Sequence, residues 1–264
     1  MCRRLKDGGG GTWNIVHENI LNFKRFFPSI PLDTKGTYST KTVQYLYKSY
    51  KMYKEMGFKE FRNTIAIEEG NKWSDENLNE LRHQFDLIIN DLLETNPDES
   101  AFSYPPFTGY HNQGLYDDFC NHGIGTCGAS SDMITLTPRD EICTCQDFSF
   151  FILGPNKESI TIGNMNDGID IAVARDFQKK ISEIFPKCYG EENSKCQHCI
   201  AKPLCETCPA MMIRKENKYD GNYEVEECDP RKIENIAIMK YDYLKEKKAW
   251  EAKRKTAEQK SQSK

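Results

Sequence analysis

The chain has 264 residues, a formal net charge of -4 and 11 cysteines. This charge excludes a global basic field of the kind that attracts nucleic acid. No run of 18 apolar residues is present, so the sequence predicts a cytoplasmic protein that does not span a membrane. In a reducing compartment a cysteine-rich chain favours metal binding over disulfides, and an odd number of cysteines fits a closed disulfide framework poorly.

The first third of the chain alternates between helical and extended patterns. Helices are predicted over residues 16–27 and 42–56, and strands within residues 29–39 and 58–69. Ser74 is predicted to cap a third helix. Its buried stripe is predicted to be Leu78, Leu81, Phe85, Ile88 and Leu92. Such alternation indicates a parallel sheet covered by helices, although two strands are too few for a stable sheet by themselves.

Periodicity is weaker in the remainder of the chain. Two short strands and two helices are predicted there, over residues 133–137, 142–147, 170–185 and 231–255. A turn at Pro138-Arg139-Asp140 separates the two strands, and Asp170 is the predicted N-cap of the first helix. The last stretch, residues 245–264, is dominated by Lys, Glu and Gln, and we expect a solvated, fraying tail.

Four cysteines lie within thirteen residues at C-x2-C-x5-C-x2-C spacing, and we call them the cysteine run: Cys196, Cys199, Cys205 and Cys208. Thiolates this close favour iron–sulfur clusters or zinc, because both prefer soft ligands. The short spacer crowds a single zinc tetrahedron, whereas iron–sulfur clusters accept C-x2-C pairs and take a further ligand from far along the chain. Cys228 is a candidate for that distant ligand. We expect His198, between two cysteines, to point outward.

A second cluster has candidate ligands upstream of the cysteine run. Cys120, Cys127 and one of Cys143 and Cys145 fill this role. The last two are two positions apart on a predicted strand and therefore face the same side, so periodicity does not separate them. The spacing favours two iron–sulfur clusters over zinc, and a zinc-stabilised interaction module is the alternative.

The order of these cysteines resembles the SPASM domain of radical S-adenosylmethionine enzymes. That family has three spaced cysteines, then C-x2-C-x5-C-x3-C and a last cysteine, so the two-residue gap before Cys208 is a departure. Residues 138–145 resemble the family's hairpin, and Ile162-Gly163-Asn164 resembles its h-G-N-h turn. Residues 4–13 and the following helix resemble the segment after the fourth barrel strand of anaerobic sulfatase-maturing and related peptide-modifying enzymes. Residues 29–95 resemble the fifth and sixth strand–helix units.

The resemblance implies an α/β fold in three parts. Residues 1–96 would be the C-terminal part of a partial (β/α) barrel, residues 97–230 a cysteine-rich α+β SPASM iron–sulfur domain, and residues 231–264 a C-terminal helix and charged tail. The implied ligands of the first auxiliary [4Fe–4S] cluster are Cys120, Cys127, Cys145 and Cys208. Those of the second are Cys196, Cys199, Cys205 and Cys228. The cysteines left over are Cys2, Cys143 and Cys188.

The family's radical-generating C-x3-C-x2-C loop is absent from this sequence. The resemblance therefore implies the C-terminal portion of an enzyme that acts on a peptide or protein. S-adenosylmethionine would bind only if the missing barrel half were supplied, for example by another chain. That chain would also cover the exposed strand edge, which is otherwise prone to association. An electron donor such as flavodoxin or ferredoxin is a further implied partner, and an inactive fragment is the remaining alternative.

Two further predictions concern residues near the candidate ligands. Sulfatase-maturing enzymes have a proton-abstracting aspartate directly after the third cysteine, whereas this chain has Gln146 after Cys145. No catalytic residue is therefore carried over, and we interpret Asp147 as a turn or surface residue. The aromatic side chains of residues 104–110 are expected to shield a cluster from water.

Overall fold

The structure is a computed structural model that describes residues 11–66, 72–95, 102–108, 133–149, 158–189, 198–201, 204 and 228–262, with the backbone alone for residues 181–189 and 261–262. Some of the cysteines singled out by the sequence lie outside this description: Cys2, Cys120, Cys127, Cys196, Cys205, Cys208 and the side chain of Cys188. The described elements form two groups, each with its own core.

The first group alternates helices with parallel strands, as predicted. Its elements are α1 (Trp13–Phe26), β1 (Asp33–Tyr38), a 3-10 turn (Val43–Tyr45), α2 (Leu46–Glu55), β2 (Glu60–Ile65), α3 (Asp75–Thr95) and the single turn α4 (Pro105–Thr108). β1 and β2 pair in parallel along their whole length. Ser103 extends the sheet beyond β2, because its N–H donates to the Lys59 carbonyl at 2.9 Å and its carbonyl accepts from the Phe61 N–H at 3.1 Å.

The core of this group is centred on α3. All five residues of its predicted stripe are buried, and the Ser74 hydroxyl accepts the Asn77 N–H at 3.3 Å, which confirms the predicted cap. Tyr50, Tyr104 and Phe107 are completely buried around this helix and contact one another edge to face. Residues 102–108 therefore share a core with the elements that precede them in the chain.

The carboxylate of Asp91 joins α2 to α3 inside this core. It accepts hydrogen bonds from the Tyr50 hydroxyl at 2.8 Å and from Lys51 at 3.2 Å, and it also pairs with Lys54. Burial alone would raise the pKa of Asp91, but the hydrogen bonds from Lys54, Tyr50 and Lys51 outweigh it and hold this pKa below its usual value. The carboxylate therefore stays charged in the folded protein.

α1 is loosely attached to the first group. None of its residues is buried, and Ile15, Val16 and Phe26 are largely exposed. Lys24 holds the helix by donating to the Gly57 carbonyl at 3.0 Å, at the C-terminal end of α2. Among the described residues no strand pairs with the edge of β1 that faces away from β2. Within the described ranges, one edge of the sheet and one face of α1 therefore have no neighbour.

The second group is a small antiparallel sheet followed by a helix. The strands β3 (Thr135–Leu136), β4 (Glu141–Cys143), β5 (Thr161–Asn164) and β6 (Gly168–Ile169) lie side by side in this order and precede α5 (Ile171–Tyr189). Asp170 accepts the Ala172 N–H at 2.9 Å, so the predicted N-cap is confirmed. Gly163 lies in β5 rather than in a turn, and a Cβ there would be 2.1 Å from the Gly168 carbonyl oxygen.

The last helix, α6 (Cys228–Gln262), begins at the candidate ligand Cys228 and packs against the first core. Its buried residues Ile233, Ala237, Ile238 and Tyr241 belong to the core around α3. Residues 246–260 are exposed, as predicted for a solvated tail, but the helix continues to Gln262, so the prediction that this stretch frays is wrong up to that residue. Ion pairs one turn apart, such as Arg254–Glu258 at 2.8 Å, support an isolated helix of this composition. None of the helices in the described ranges is long and apolar enough to cross a bilayer.

We predict that Asp91→Ala lowers the free energy of unfolding by about 3 kcal/mol at pH 7, because it leaves the Tyr50 hydroxyl buried without its acceptor. Urea denaturation measures this change. Since the folded pKa of Asp91 is depressed, the part of the wild-type advantage that depends on the charged carboxylate should be complete above pH ~5 and should be lost as the pH falls from the unfolded pKa of about 3.9 through the lower folded pKa.

The matched control is Asp86→Ala. Asp86 lies on α3, like Asp91, and the substitution removes its exposed ion pair with Lys240 of α6. It should change the free energy of unfolding by no more than about 0.5 kcal/mol. Equal losses in the two variants at pH 7 would contradict the role assigned to Asp91.

Candidate metal centre

Three of the eight predicted cluster ligands lie in the described part of the chain. They are Cys145 from the first predicted cluster, and Cys199 and Cys228 from the second. Within the described ranges no three potential ligands come together. Neither predicted cluster has three described ligands, so this observation leaves both assignments as predictions.

Cys145 lies directly after a strand and begins a new turn. β4 ends at Cys143, and a 3-10 turn (Gln146–Phe148) follows with Cys145 as its N-cap. The Asp147 backbone N–H donates to the Cys145 sulfur at 3.3 Å. The prediction that both cysteines lie on one strand is therefore wrong, because the chain turns before Cys145. A backbone N–H that reaches this sulfur can also donate to a metal-bound thiolate.

Cys143, two residues earlier, belongs to the same small second core as Cys145, which is 7% exposed, but it is more deeply buried. Its side chain is completely buried in the small second core beside Ile142 and Phe148. Burial, followed by the nearby Glu141 carboxylate, raises the pKa of Cys143 to about 11. A neutral buried thiol packs as a small apolar side chain and is a poor metal ligand. The local structure thus favours Cys145 over Cys143, which the sequence pattern left undecided.

Cys228 is the first residue of a 35-residue helix. A long helix carries a partial positive charge at its N-terminus, which favours a thiolate at that position. Asn235 lies two turns further along the same helix, and its amide nitrogen donates to the Ala201 carbonyl at 3.4 Å. Ala201 is two residues after Cys199. The segment that follows Cys199 therefore contacts the helix that begins with Cys228.

Two expectations about neighbouring side chains can be compared with the structure. His198 is exposed, as expected for a residue that points outward. Asp147 lies in a turn, in agreement with its interpretation as a turn or surface residue. Tyr104 and Phe107 pack among core rings, including Tyr241. Packing in the core accounts for these two rings. The prediction that residues 104–110 shield a cluster stays a prediction, because it involves cysteines outside the described residues.

The donor set fits an iron–sulfur site by its chemistry. The candidate ligands are all cysteines, and the three described ones lie in turns or at a helix terminus rather than within regular elements. Soft thiolate donors are those that iron–sulfur clusters take, and zinc accepts them as well. Comparison of the chain with models of known protein families and with curated proteins finds no match.

Neither the contact of Asn235 nor the hydrogen bond to the Cys145 sulfur is predicted by the sequence pattern. Asn235 stands between Ile233 and Ile236 in a helix whose apolar pattern is only loosely periodic. A polar residue near apolar ones was the available signal, but it does not reveal which backbone group the amide would reach. The hydrogen bond to sulfur depends on where β4 ends, which strand periodicity does not specify.

We predict that Cys145→Ala halves the iron and sulfide content after anaerobic reconstitution, from about eight to about four of each per chain. Cys143→Ala should leave both values unchanged, because Cys143 is assigned to neither cluster. Metal analysis and the visible absorption spectrum provide the measurements. Loss of iron in Cys143→Ala with full iron in Cys145→Ala would reverse the assignment.

Proposed function

We propose that the chain is the C-terminal portion of a radical S-adenosylmethionine enzyme of the SPASM type, which acts on a peptide or protein and holds two auxiliary [4Fe–4S] clusters. The observation that carries the proposal is the cysteine run, in which Ala201, between Cys199 and Cys205, accepts a hydrogen bond from the helix that begins with Cys228. We also propose a cytoplasmic location, where thiolates stay reduced.

In this proposal the ligands are divided between the clusters in a crossed manner. The first cluster takes Cys120, Cys127, Cys145 and Cys208. The second takes Cys196, Cys199, Cys205 and Cys228. Such clusters, when bound, supply one-electron transfer or a docking point for the substrate. The chain itself positions the thiolates, and its hydrogen bonds to sulfur, such as that from the Asp147 N–H, tune the potential.

The first experiment is anaerobic reconstitution of the full chain with iron and sulfide. We expect brown protein with about eight irons and eight sulfides per chain. Cys199→Ala should lose about half of both, whereas Cys2→Ala, which removes a cysteine outside both ligand sets, should lose none.

A colourless chain with one or two tightly bound zinc ions would reject the proposal and support a zinc-stabilised interaction module. A chain that retains neither metal would indicate an inactive fragment. Both alternatives are thus separated from the proposal by metal analysis alone.

We further propose that the C-x3-C-x2-C loop and the missing strands come from sequence outside these 264 residues, either from a partner chain or from an upstream continuation of the same chain. β1, β2 and Ser103 follow one another across the sheet in chain order, each after a helix. Because parallel crossovers are right-handed, the strand that precedes α1 in this arrangement belongs at the open edge of β1. That strand and its neighbours would cover the exposed face of α1. S-adenosylmethionine would bind only in the completed assembly, with flavodoxin or ferredoxin as the electron donor.

We predict that the isolated chain self-associates through this open side, because exposed apolar side chains and an unpaired edge favour association. The double variant Ile15→Glu/Phe26→Glu should be monomeric at concentrations where the wild type is not. Ile171→Glu, which alters an equally exposed residue on α5, is the matched control and should associate like the wild type.

Light scattering during size-exclusion chromatography measures this difference. A chain carrying the C-x3-C-x2-C loop, when co-expressed, should co-purify with the wild type and not with the double variant. A monomeric wild type that also fails to bind such a chain would contradict the partner proposal.

A further inference from the structure

The spacer inside the cysteine run, residues 200–204, is the point where the run meets the first core. Ala201 is buried, and its carbonyl accepts the Leu204 N–H at 3.1 Å, which closes a tight turn. The Leu204 side chain packs against the core around α3. One pair of cysteines precedes this turn and the other follows it. The position of the turn therefore constrains where Cys199, two residues before Ala201, lies.

Asn235 connects this turn to α6. Its side chain is 6% exposed, and its amide nitrogen donates to the same Ala201 carbonyl at 3.4 Å. The carbonyl thus accepts from two donors, one within the turn and one from the helix. A polar side chain that is buried without hydrogen bonds destabilises the fold. The hydrogen bond to Ala201 therefore stabilises the buried Asn235 amide and fixes its position relative to the turn.

α6 is packed into the first core on both sides of Asn235. Ile233 and Ile238 are buried on either side of Asn235 in the chain, and the Tyr241 ring stacks on Phe107 with centroids 5.8 Å apart. Cys228 lies seven residues before Asn235, about 10 Å along the helix axis. The spacing between the turn and Cys228 is consequently fixed by one rigid helix and one side-chain contact.

We infer that Asn235 is a positioning residue for the second cluster of the proposed function. It does not touch the metal, but it holds the spacer of the cysteine run at a set distance from Cys228. Cys199 and Cys205, which flank the spacer, are assigned to the same cluster as Cys228. Partners of this kind behind the ligands commonly change metal affinity by about 10- to 100-fold when they are removed. The inference rests on the proposed function.

The test compares the release of iron from the reconstituted wild type and from Asn235→Leu, which keeps the approximate size but removes the amide. In the presence of a strong iron chelator, half of the iron in the variant should leave at least about tenfold faster than in the wild type. The other half, held by the first cluster, should leave at the wild-type rate. Electron paramagnetic resonance of the reduced protein should show one altered signal and one unchanged signal.

Two further variants separate the hydrogen bond from a general effect on folding. Asn235→Asp keeps the shape but replaces the donor by an acceptor, so it should behave like Asn235→Leu. Gln84→Leu removes another buried side-chain contact to the backbone, since the Gln84 carbonyl accepts the Tyr47 N–H at 2.8 Å far from the cysteine run in sequence. It should lower stability without making half of the iron labile.

Each outcome has a definite meaning for the inference. A wild type that takes up about eight irons, with Asn235→Leu and Asn235→Asp releasing iron like the wild type, overturns the inference and leaves the proposed function intact. Equal acceleration of all the iron in Asn235→Leu, Asn235→Asp and Gln84→Leu also overturns it, because it would show a general loss of stability. A wild type that takes up no iron overturns both.

Discussion

Burial of the first half of α6 against α3 is the interaction on which the positions of Cys228 and of the segment after Cys199 depend. Ile238 and Tyr241 are almost completely removed from water, and the Tyr241 ring stacks on Phe107. Apolar burial of this extent stabilises a side chain by about 1.5–3 kcal/mol, which is enough to fix the helix in position. Because α6 begins at Cys228, the core of the first group also sets the position of a candidate ligand. The same core receives Leu204 from the cysteine run.

The two neighbouring cysteines of the second group show how local geometry divides chemical roles. Cys143 ends a strand and is sealed in a small core, where a charge would be poorly solvated. Cys145 is the N-cap of a turn, where a backbone N–H reaches its sulfur. Both side chains are buried in this core, Cys143 completely and Cys145 with 7% exposure, so the distinction rests on the raised pKa of Cys143 and on the backbone donor at the Cys145 sulfur. The proposal of a first cluster therefore rests on Cys145, and Cys143 has a packing role.

The first group has one closed side and one open side. On the closed side, Ser103 continues the sheet beyond β2, and the aromatic rings near it complete the core. On the open side, β1 has no described neighbour and α1 exposes Ile15 and Phe26. Parallel sheets are usually covered on both faces and extended by further strands. A further strand at this edge, from the same chain or from another one, would satisfy the backbone edge and bury these side chains together.

The sequence by itself determined the elements whose signals are local. The stripe of α3, its Ser74 cap and the Asp170 cap were predicted correctly, because helical periodicity and capping depend on residues within one or two turns. It also supplied the cysteine spacing, and with it the proposed chemistry. Tertiary structure alone decided the rest: where β4 ends, which of Cys143 and Cys145 meets a backbone donor, and which carbonyl Asn235 reaches. The contact of Asn235 joins residues that are 34 positions apart, and the hydrogen bond at Cys145 depends on where the strand gives way to a turn; strand and helix periodicity specifies neither.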